Sequence, residues 1–221
     1  MLLRNLQPQG SLATRFSSVP SRIFRKRGET SRRVLIINGH PDPRAERFCA
    51  ALSNASAEGA RSCGWQTREL SLGSLTPMAA FGPDGWDEHS NMSDDMEDAF
   101  AMVQWASQLV IVFPLWLNGP PPPLRRFFDE IDRMDHKSGS GFSALGRSKR
   151  AARIVVTMEF PAFAHRLLFR AGENALGAEN PLLLQGVRIE HATFIGSVDT
   201  ISAQHRAGWL QAVRKFGVVG E

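Results

Sequence analysis

Arg33-Val34-Leu35-Ile36-Ile37-Asn38, stopped by Gly39 and followed by His40-Pro41-Asp42-Pro43, is the stretch whose reading decides the fold. Val34 to Ile37 are four aliphatic residues in a row, so a strand built from them has no polar face to offer water. It must be covered on both sides, as strands of parallel sheets are. Glu46 to Cys63 then carries Phe48, Leu52, Ala55 and Gly59 at helical spacing, with Gly64 placed to stop the helix.

The same alternation repeats outward from this unit. Trp65 to Leu72 reads as a strand, and residues 73–90 read as an irregular loop rich in Gly, Pro and Asp. Ser93-Asp94-Asp95 opens an acidic helix that Glu97 helps to cap, running to about Ser107. Leu109 to Phe113 is a second fully apolar strand. Pro120 to Pro123 fit only before or within the first turn of the helix that follows, Leu124 to Met134. Residues 136–150 form a polar loop, Arg153 to Met158 a third buried strand, and 163–172 and 173–185 helical segments. Arg188 to Ile195 is a strand, and Ser202 to Phe216 a closing helix. This βαβαβαβαβα order predicts an α/β three-layer sandwich with a five-stranded parallel sheet in the order 2-1-3-4-5.

Composition narrows the class. The 221 residues are 43% hydrophobic and 22% charged, which excludes collagen-like and wholly disordered chains. The longest apolar run, Leu109 to Leu117 with Pro114 within it, is far short of the roughly 20 residues a membrane span needs. The formal charge of +4 is concentrated at the start of the chain. Residues 1–33 hold eight basic side chains against Glu29 alone, which leaves 18 basic and 21 acidic residues in the remainder. The high pI is therefore not the signature of a nucleic-acid binder. Residues 1–32, basic and rich in Ser, read as a disordered extension, with organellar targeting as the second reading. Residues 33–221 read as one domain. Cys49 and Cys63 stand 14 residues apart on one expected helix. At ~1.5 Å per residue that separation is beyond disulfide reach, consistent with a reducing, cytoplasmic setting.

Ligands of open parallel sheets bind beyond the carboxyl ends of the strands, where strand order reverses. Three loops lie there. Gly39 to Phe48 lacks the glycines of a dinucleotide fingerprint and the Lys of a P-loop, yet it leads into a helix N-terminus that suits a phosphate. His40, Arg44 and Arg47 either serve that anion or are a strand cap and two solvated cations. Pro114 to Pro120 puts Leu115, Trp116 and Leu117 at a turn, where apolar groups pack either into the core or against a flat ring or partner subunit. Thr157 to His165 has the same character and adds Glu159 and His165.

The segments GHPDP…ERFCAAL (39–52), LVIVFPLW (109–116) and VVTM (155–158) with Pro161-Ala162 resemble those of the flavodoxin-like NAD(P)H:quinone oxidoreductases, the short bacterial type related to ancillary proteins of potassium efflux channels. The similarity runs from about Arg33 to Gly217. It implies a bound FMN or FAD that accepts hydride from NAD(P)H and passes two electrons to a quinone-like acceptor, in a homodimer whose partner completes the site. It further implies that His40, Arg47, Phe48 and Cys49 hold the flavin phosphate. Pro114, Leu115, Trp116 and Leu117 would lie against the isoalloxazine, and Thr157, Met158, Glu159 and Phe160 would meet its polar edge through backbone N–H groups. Trp116 and Phe160 would wall an apolar slot that orients the rings and excludes water.

The chain also departs from the family. It has no Tyr, and the usual Gly-Ala-His-Gly stretch reads Arg170-Ala171-Gly172-Glu173, so His165 or Arg170 is the expected stand-in for the cation near the reduced ring. Glu159 occupies a position that is usually Gly, and a carboxylate there would repel the reduced anion. The acids around His89 to Asp98 read as a solvated helix face, and no metal site is expected. Two functions follow: a flavin-dependent oxidoreductase, or a flavodoxin-fold subunit with weakened catalysis that regulates a partner such as a transporter.

Overall fold

A computed structural model describes residues 32–75, 94–116, 119–138, 150–161 and 187–218. The aliphatic run becomes β1 (Arg33–Asn38), with Val34 to Asn38 all buried. It is followed by α1 (Phe48–Ser62), β2 (Gln66–Ser71), a short 3-10 turn (Leu72–Ser74), α2 (Asp94–Trp105), β3 (Gln108–Pro114), α3 (Pro122–Ser138), β4 (Arg150–Thr157), β5 (Val187–Ile195) and α4 (Ala203–Val218). The sheet has the order β2-β1-β3-β4-β5, and every neighbouring pair is parallel.

Alternation along the central strands builds two separate cores. Leu35, Ile37, Leu109, Ile111, Phe113, Ile154 and Val156 point to one face and meet α2 and α3 through Met96, Val103, Phe127 and Ile131. Val112 and Val155 point to the other, where Leu52 of α1 and Val213 of α4 cover them. Each such fully buried side chain contributes roughly 1.5–3 kcal/mol relative to exposure. This double cover is why the strands lack a polar face. The first turn of α2 carries Asp94, Asp95 and Glu97, which its partial positive charge favours. On the opposite layer α1 approaches α4 so closely that a Cβ on Gly59 would lie 2.0 Å from the carbonyl oxygen of Arg214. Only hydrogen fits there.

Several boundaries differ from the sequence reading. The first helix begins at Phe48 rather than Glu46. Arg47 is its N-cap in an extended conformation, and the Arg47 N–H closes a turn onto the Arg44 carbonyl at 3.1 Å. The third helix begins at Pro122 and runs on to Ser138, because its first turn needs no N–H from either proline. The fourth strand starts at Arg150, where its ladder with Val187 begins, and ends at Thr157 rather than Met158. The expected extension 1–32, the helical segments within 163–185 and most of the loop 73–90 lie outside the described residues.

Candidate functional site

The loop after β1 is a closed knot of polar bonds. Asn38 Oδ1 accepts the His40 N–H at 3.1 Å, and His40 Nδ1 lies 2.9 Å from the Asp42 backbone nitrogen and 3.1 Å from the Asp42 carbonyl oxygen. Asp42 Oδ1 accepts the Arg44 backbone N–H, and both carboxylate oxygens accept from Arg44 Nε at 3.0 and 2.9 Å. The Nε of Arg47 donates to Asp42 Oδ2 at 2.6 Å. The two guanidinium groups hold the Asp42 carboxyl below the ordinary carboxylate range, Arg44 foremost. Burial, with Arg47 nearby, lowers the His40 pKa. The expected free cations Arg44 and Arg47 are therefore already paired within the loop, a correction that follows from Asp42, whose role the sequence reading missed.

What the loop does offer is backbone. Arg47 makes no side-chain cap, and the first helical bond back to it is the Ala51 N–H to the Arg47 carbonyl at 3.1 Å. The N–H groups of Phe48, Cys49 and Ala50 have no acceptor among the described residues. The side chains of Phe48 and Cys49 turn elsewhere. Arg206 of α4 lies over the Phe48 ring at 5.3 Å. Cys49 is buried with Sγ 3.4 Å from Thr157 Oγ1, and burial pushes its thiol pKa up to about 11. Gly39 sets the loop against β3 by donating its N–H to the Val112 carbonyl at 2.7 Å, and Gly73 approaches the Pro41 carbonyl too closely for a Cβ, 2.5 Å away.

The loops after β3 and β4 meet around one cavity of about 700 Å³. Pro114 pairs with Thr157 at the end of the ladder, and the Leu115 N–H donates to the Thr157 carbonyl at 2.7 Å. Trp116 and Gly119 exchange two backbone bonds of 3.0 Å, with Gly119 at φ 104°, a conformation that favours glycine. This pairing leaves Trp116 44% exposed beside the buried Leu115. Leu115, Trp116, Gly119 and Pro120 form one wall of the cavity, and Glu159 and Phe160 form the facing loop. Pro122 and Arg125, from the first turn of α3, also line it.

The β4 loop is tied to the turn after β5. The Met158 N–H goes to the Ile195 carbonyl at 2.8 Å, and the Val198 N–H returns to the Met158 carbonyl at 3.0 Å. Ser197 donates to the Phe160 carbonyl at 3.0 Å from a left-handed conformation, φ 56°, which costs a non-glycine residue of order 1 kcal/mol. The expected four-residue donor loop is thereby shortened. Thr157 is the last residue of β4, in the ladder with Ile195, and Met158 gives its N–H to β5, whereas the N–H groups of Glu159 and Phe160 have no acceptor among the described residues.

The three loops thus share the carboxyl edge of the sheet. The second and third line the cavity, and the first stands beside them, joined through the Cys49–Thr157 contact and the Gly39–Val112 bond. Leu117, His165 and Arg170 lie outside the described residues. Arg125 and Ser197 were missed by the sequence reading. A signal for Arg125 existed, since a cation near the N-terminus of a helix opposes the macrodipole. Ser197 left none.

A family profile described as a flavodoxin-like fold matches residues 32–209. The chain belongs to this flavodoxin-like family. Among curated proteins none matches it in sequence. Solved structures share the fold. An NAD(P)H:quinone oxidoreductase from Methanothermobacter marburgensis aligns with a TM-score of 0.56 and 16% identity, over 86% of this chain and 96% of that one. An FMN-dependent NADH-azoreductase from Bacillus anthracis, in complex with FMN, aligns with 0.54 and 12%, over 84% and 97%. An NADPH-quinone reductase from P. pentosaceus aligns with 0.51 and 13%, over 84% and 97%.

Flavin fits what is here. The cavity, with apolar walls and two charged side chains, has the size of small-molecule sites. The N–H groups of Glu159 and Phe160 at the loop after β4, and three more at a helix N-terminus beside it where a phosphate is favoured, have no acceptor among the described residues.

Proposed function

We propose that this flavodoxin-like protein is an FMN-dependent NAD(P)H oxidoreductase that reduces a quinone-like acceptor. The observation that carries this reading is the meeting of Trp116 and Phe160 around one cavity at the carboxyl edge of the sheet. The names of the fold neighbours, quinone reductases and an FMN-dependent azoreductase, support it. FMN rather than FAD is the flavin we assign.

When bound, the flavin supplies two-electron chemistry between NAD(P)H and the acceptor. The chain's own part is to bind, orient and exclude water. The N–H groups of Phe48, Cys49 and Ala50 would take the phosphate, aided by the positive end of α1. Pro114, Leu115, Trp116 and Leu117 would lie along the ring system, and the N–H groups of Glu159 and Phe160 would meet its polar edge. Arg47 and His40 would act indirectly, by holding the loop in the shape that Asp42 organises. His165 or Arg170 would provide the cation that favours charge on the reduced ring. A homodimer would cover the exposed face of Trp116, and a cytoplasmic setting suits the free thiols of Cys49 and Cys63.

The second reading, a partner-regulating subunit of weak activity, is favoured by one observation: Glu159 places a carboxylate on the cavity wall. The absorbance spectrum of the purified protein separates the outcomes. Yellow protein that releases FMN on denaturation and oxidises NAD(P)H in the presence of a small quinone supports the enzyme. Yellow protein without turnover supports the regulatory subunit. Colourless protein that takes up neither FMN nor FAD overturns the flavin assignment.

A further inference from the structure

Arg125 stands apart from the other arginines near the strand ends and on the helices. Arg44 and Arg47 meet Asp42, Arg133 meets Glu130, and Arg214 meets Glu58. Arg125 lines the cavity, and its side chain forms no ion pair or hydrogen bond among the described residues. Glu159 lines the same cavity and is likewise unpaired there, so the two charges do not neutralise each other.

Its place on α3 sharpens the point. The positive end of a helix is an unfavourable site for a cation, and two positive fields that add together make a favourable site for an anion. Helix N-termini usually serve anions with backbone N–H groups, but α3 has none to give. Pro122 and Pro123 carry no N–H, and the N–H groups of Leu124 and Arg125 both go to the Pro121 carbonyl, at 3.0 and 3.3 Å. Among the described residues of this first turn, the donor left for an anion is the Arg125 guanidinium. The neighbouring walls, Trp116, Phe160 and Pro120, are apolar and suit a planar ring. Their low polarity strengthens a charge pair made beside them.

We propose that Arg125 is a specificity-determining residue that selects acceptors bearing a carboxylate or sulfonate on an aromatic ring, with Glu159 opposing the same group. The proposal rests on the oxidoreductase reading for its physiological meaning. An anionic group could also belong to the phosphates of NAD(P)H, and the experiment separates the two.

The flavin-loaded full chain is assayed with 1,4-naphthoquinone and with its 2-sulfonate, comparing wild type with Arg125→Met, Arg125→Lys and Glu159→Gln. Taking the ratio of the two acceptors within each variant removes their difference in reduction potential. Arg125→Met is expected to raise the KM for the sulfonate about tenfold relative to the KM for the neutral quinone. Arg125→Lys should restore most of the loss, and Glu159→Gln should lower the sulfonate KM a few-fold. Calorimetry with the redox-inert pair 2-naphthalenesulfonate and 2-naphthol on the same proteins reads binding without turnover. Tighter binding of the sulfonate that disappears in Arg125→Met supports the proposal even if no acceptor is reduced, an outcome that would sink the oxidoreductase reading alone. Equal loss for both acceptors, equal affinity for both inert probes, or a change confined to the KM for NAD(P)H overturns the role given to Arg125.

Discussion

The N-termini of α1 and α3 stand at the same edge of the sheet and solve the same electrostatic problem in opposite ways. At α1 the cap residue Arg47 makes no capping bond, three backbone N–H groups have no acceptor among the described residues, and the two nearby arginines share the single carboxylate of Asp42. At α3 two prolines remove the donors, the N–H groups of Leu124 and Arg125 bond to Pro121, and the Arg125 side chain is a cation without a partner among the described residues. The first end is built to recognise an anion by backbone, at fixed geometry and without regard to side-chain rotamers. The second recognises one by a flexible guanidinium. A group held identically in every turnover, such as a cofactor phosphate, belongs at the first, and a group that differs from one acceptor to another belongs at the second.

The contrast can be broken at α1 by removing a donor without touching a charge. Phe48 is the first helical residue and follows Arg47 at φ −69° and ψ 138°, a conformation compatible with a proline after it. Phe48→Pro deletes one free N–H, and Phe48→Ala controls for the lost ring and its contact with Arg206. The proline variant is expected to hold FMN about 10- to 100-fold more weakly than the alanine variant, the scale of one hydrogen bond to a charged group. Equal FMN affinity, measured by flavin fluorescence, would show that these N–H groups do not meet the phosphate.

A smaller effect is expected at the cavity wall. Trp116→Ala should weaken flavin retention several-fold, the scale of roughly 0.5–1.5 kcal/mol for aromatic stacking, while the melting temperature changes little because the indole is 44% exposed. A large loss of stability with unchanged flavin affinity would make Trp116 a core residue instead.

The smallest effect sharpens the account of the α1 loop. The folded-state pKa of His40 is lowered, so as pH falls below about 6.5 the unfolded chain takes up a proton that the folded loop refuses, and stability declines. Burial lowers the pKa of His191 also, so it shares this slope. Asp42 works in a lower window: its contribution is complete above the ordinary carboxylate pKa and is lost only as pH falls through the depressed value. Denaturation midpoints at pH 7.5 and 5.5 should therefore drop on acidification, and His40→Gln should reduce the drop. An unchanged slope in that variant would mean that His40 is not held neutral by the loop.

The strands were legible because Val34 to Ile37 and Leu109 to Phe113 have no polar side to put toward water. That absence excludes every arrangement except burial on both faces, and sheet order followed from connection rules. The three candidate loops were legible for the same reason, since strand ends in such sheets are where backbone geometry leaves room. Within the loops, the partners of polar groups are set by contacts that sequence pattern does not carry. Arg47 looked like a free cation because its partner, Asp42, is brought to it by a turn rather than by helical spacing. Met158 looked like a donor to a ligand because the partner of its N–H, Ile195, is distant in sequence. Arg125 faces the cavity through the phase of a helix whose first residue was placed two positions late.

From the amino-acid order alone came the layered α/β architecture, the sheet order and the edge at which a ligand would sit, because local hydrophobic periodicity and chain connectivity carry that information. Which donors stay unspent at that edge was decided only by the tertiary structure. A hydrogen-bonding group is available to a ligand when nothing else in the folded chain has claimed it, and the competing claims come from residues that only folding brings within about 3 Å.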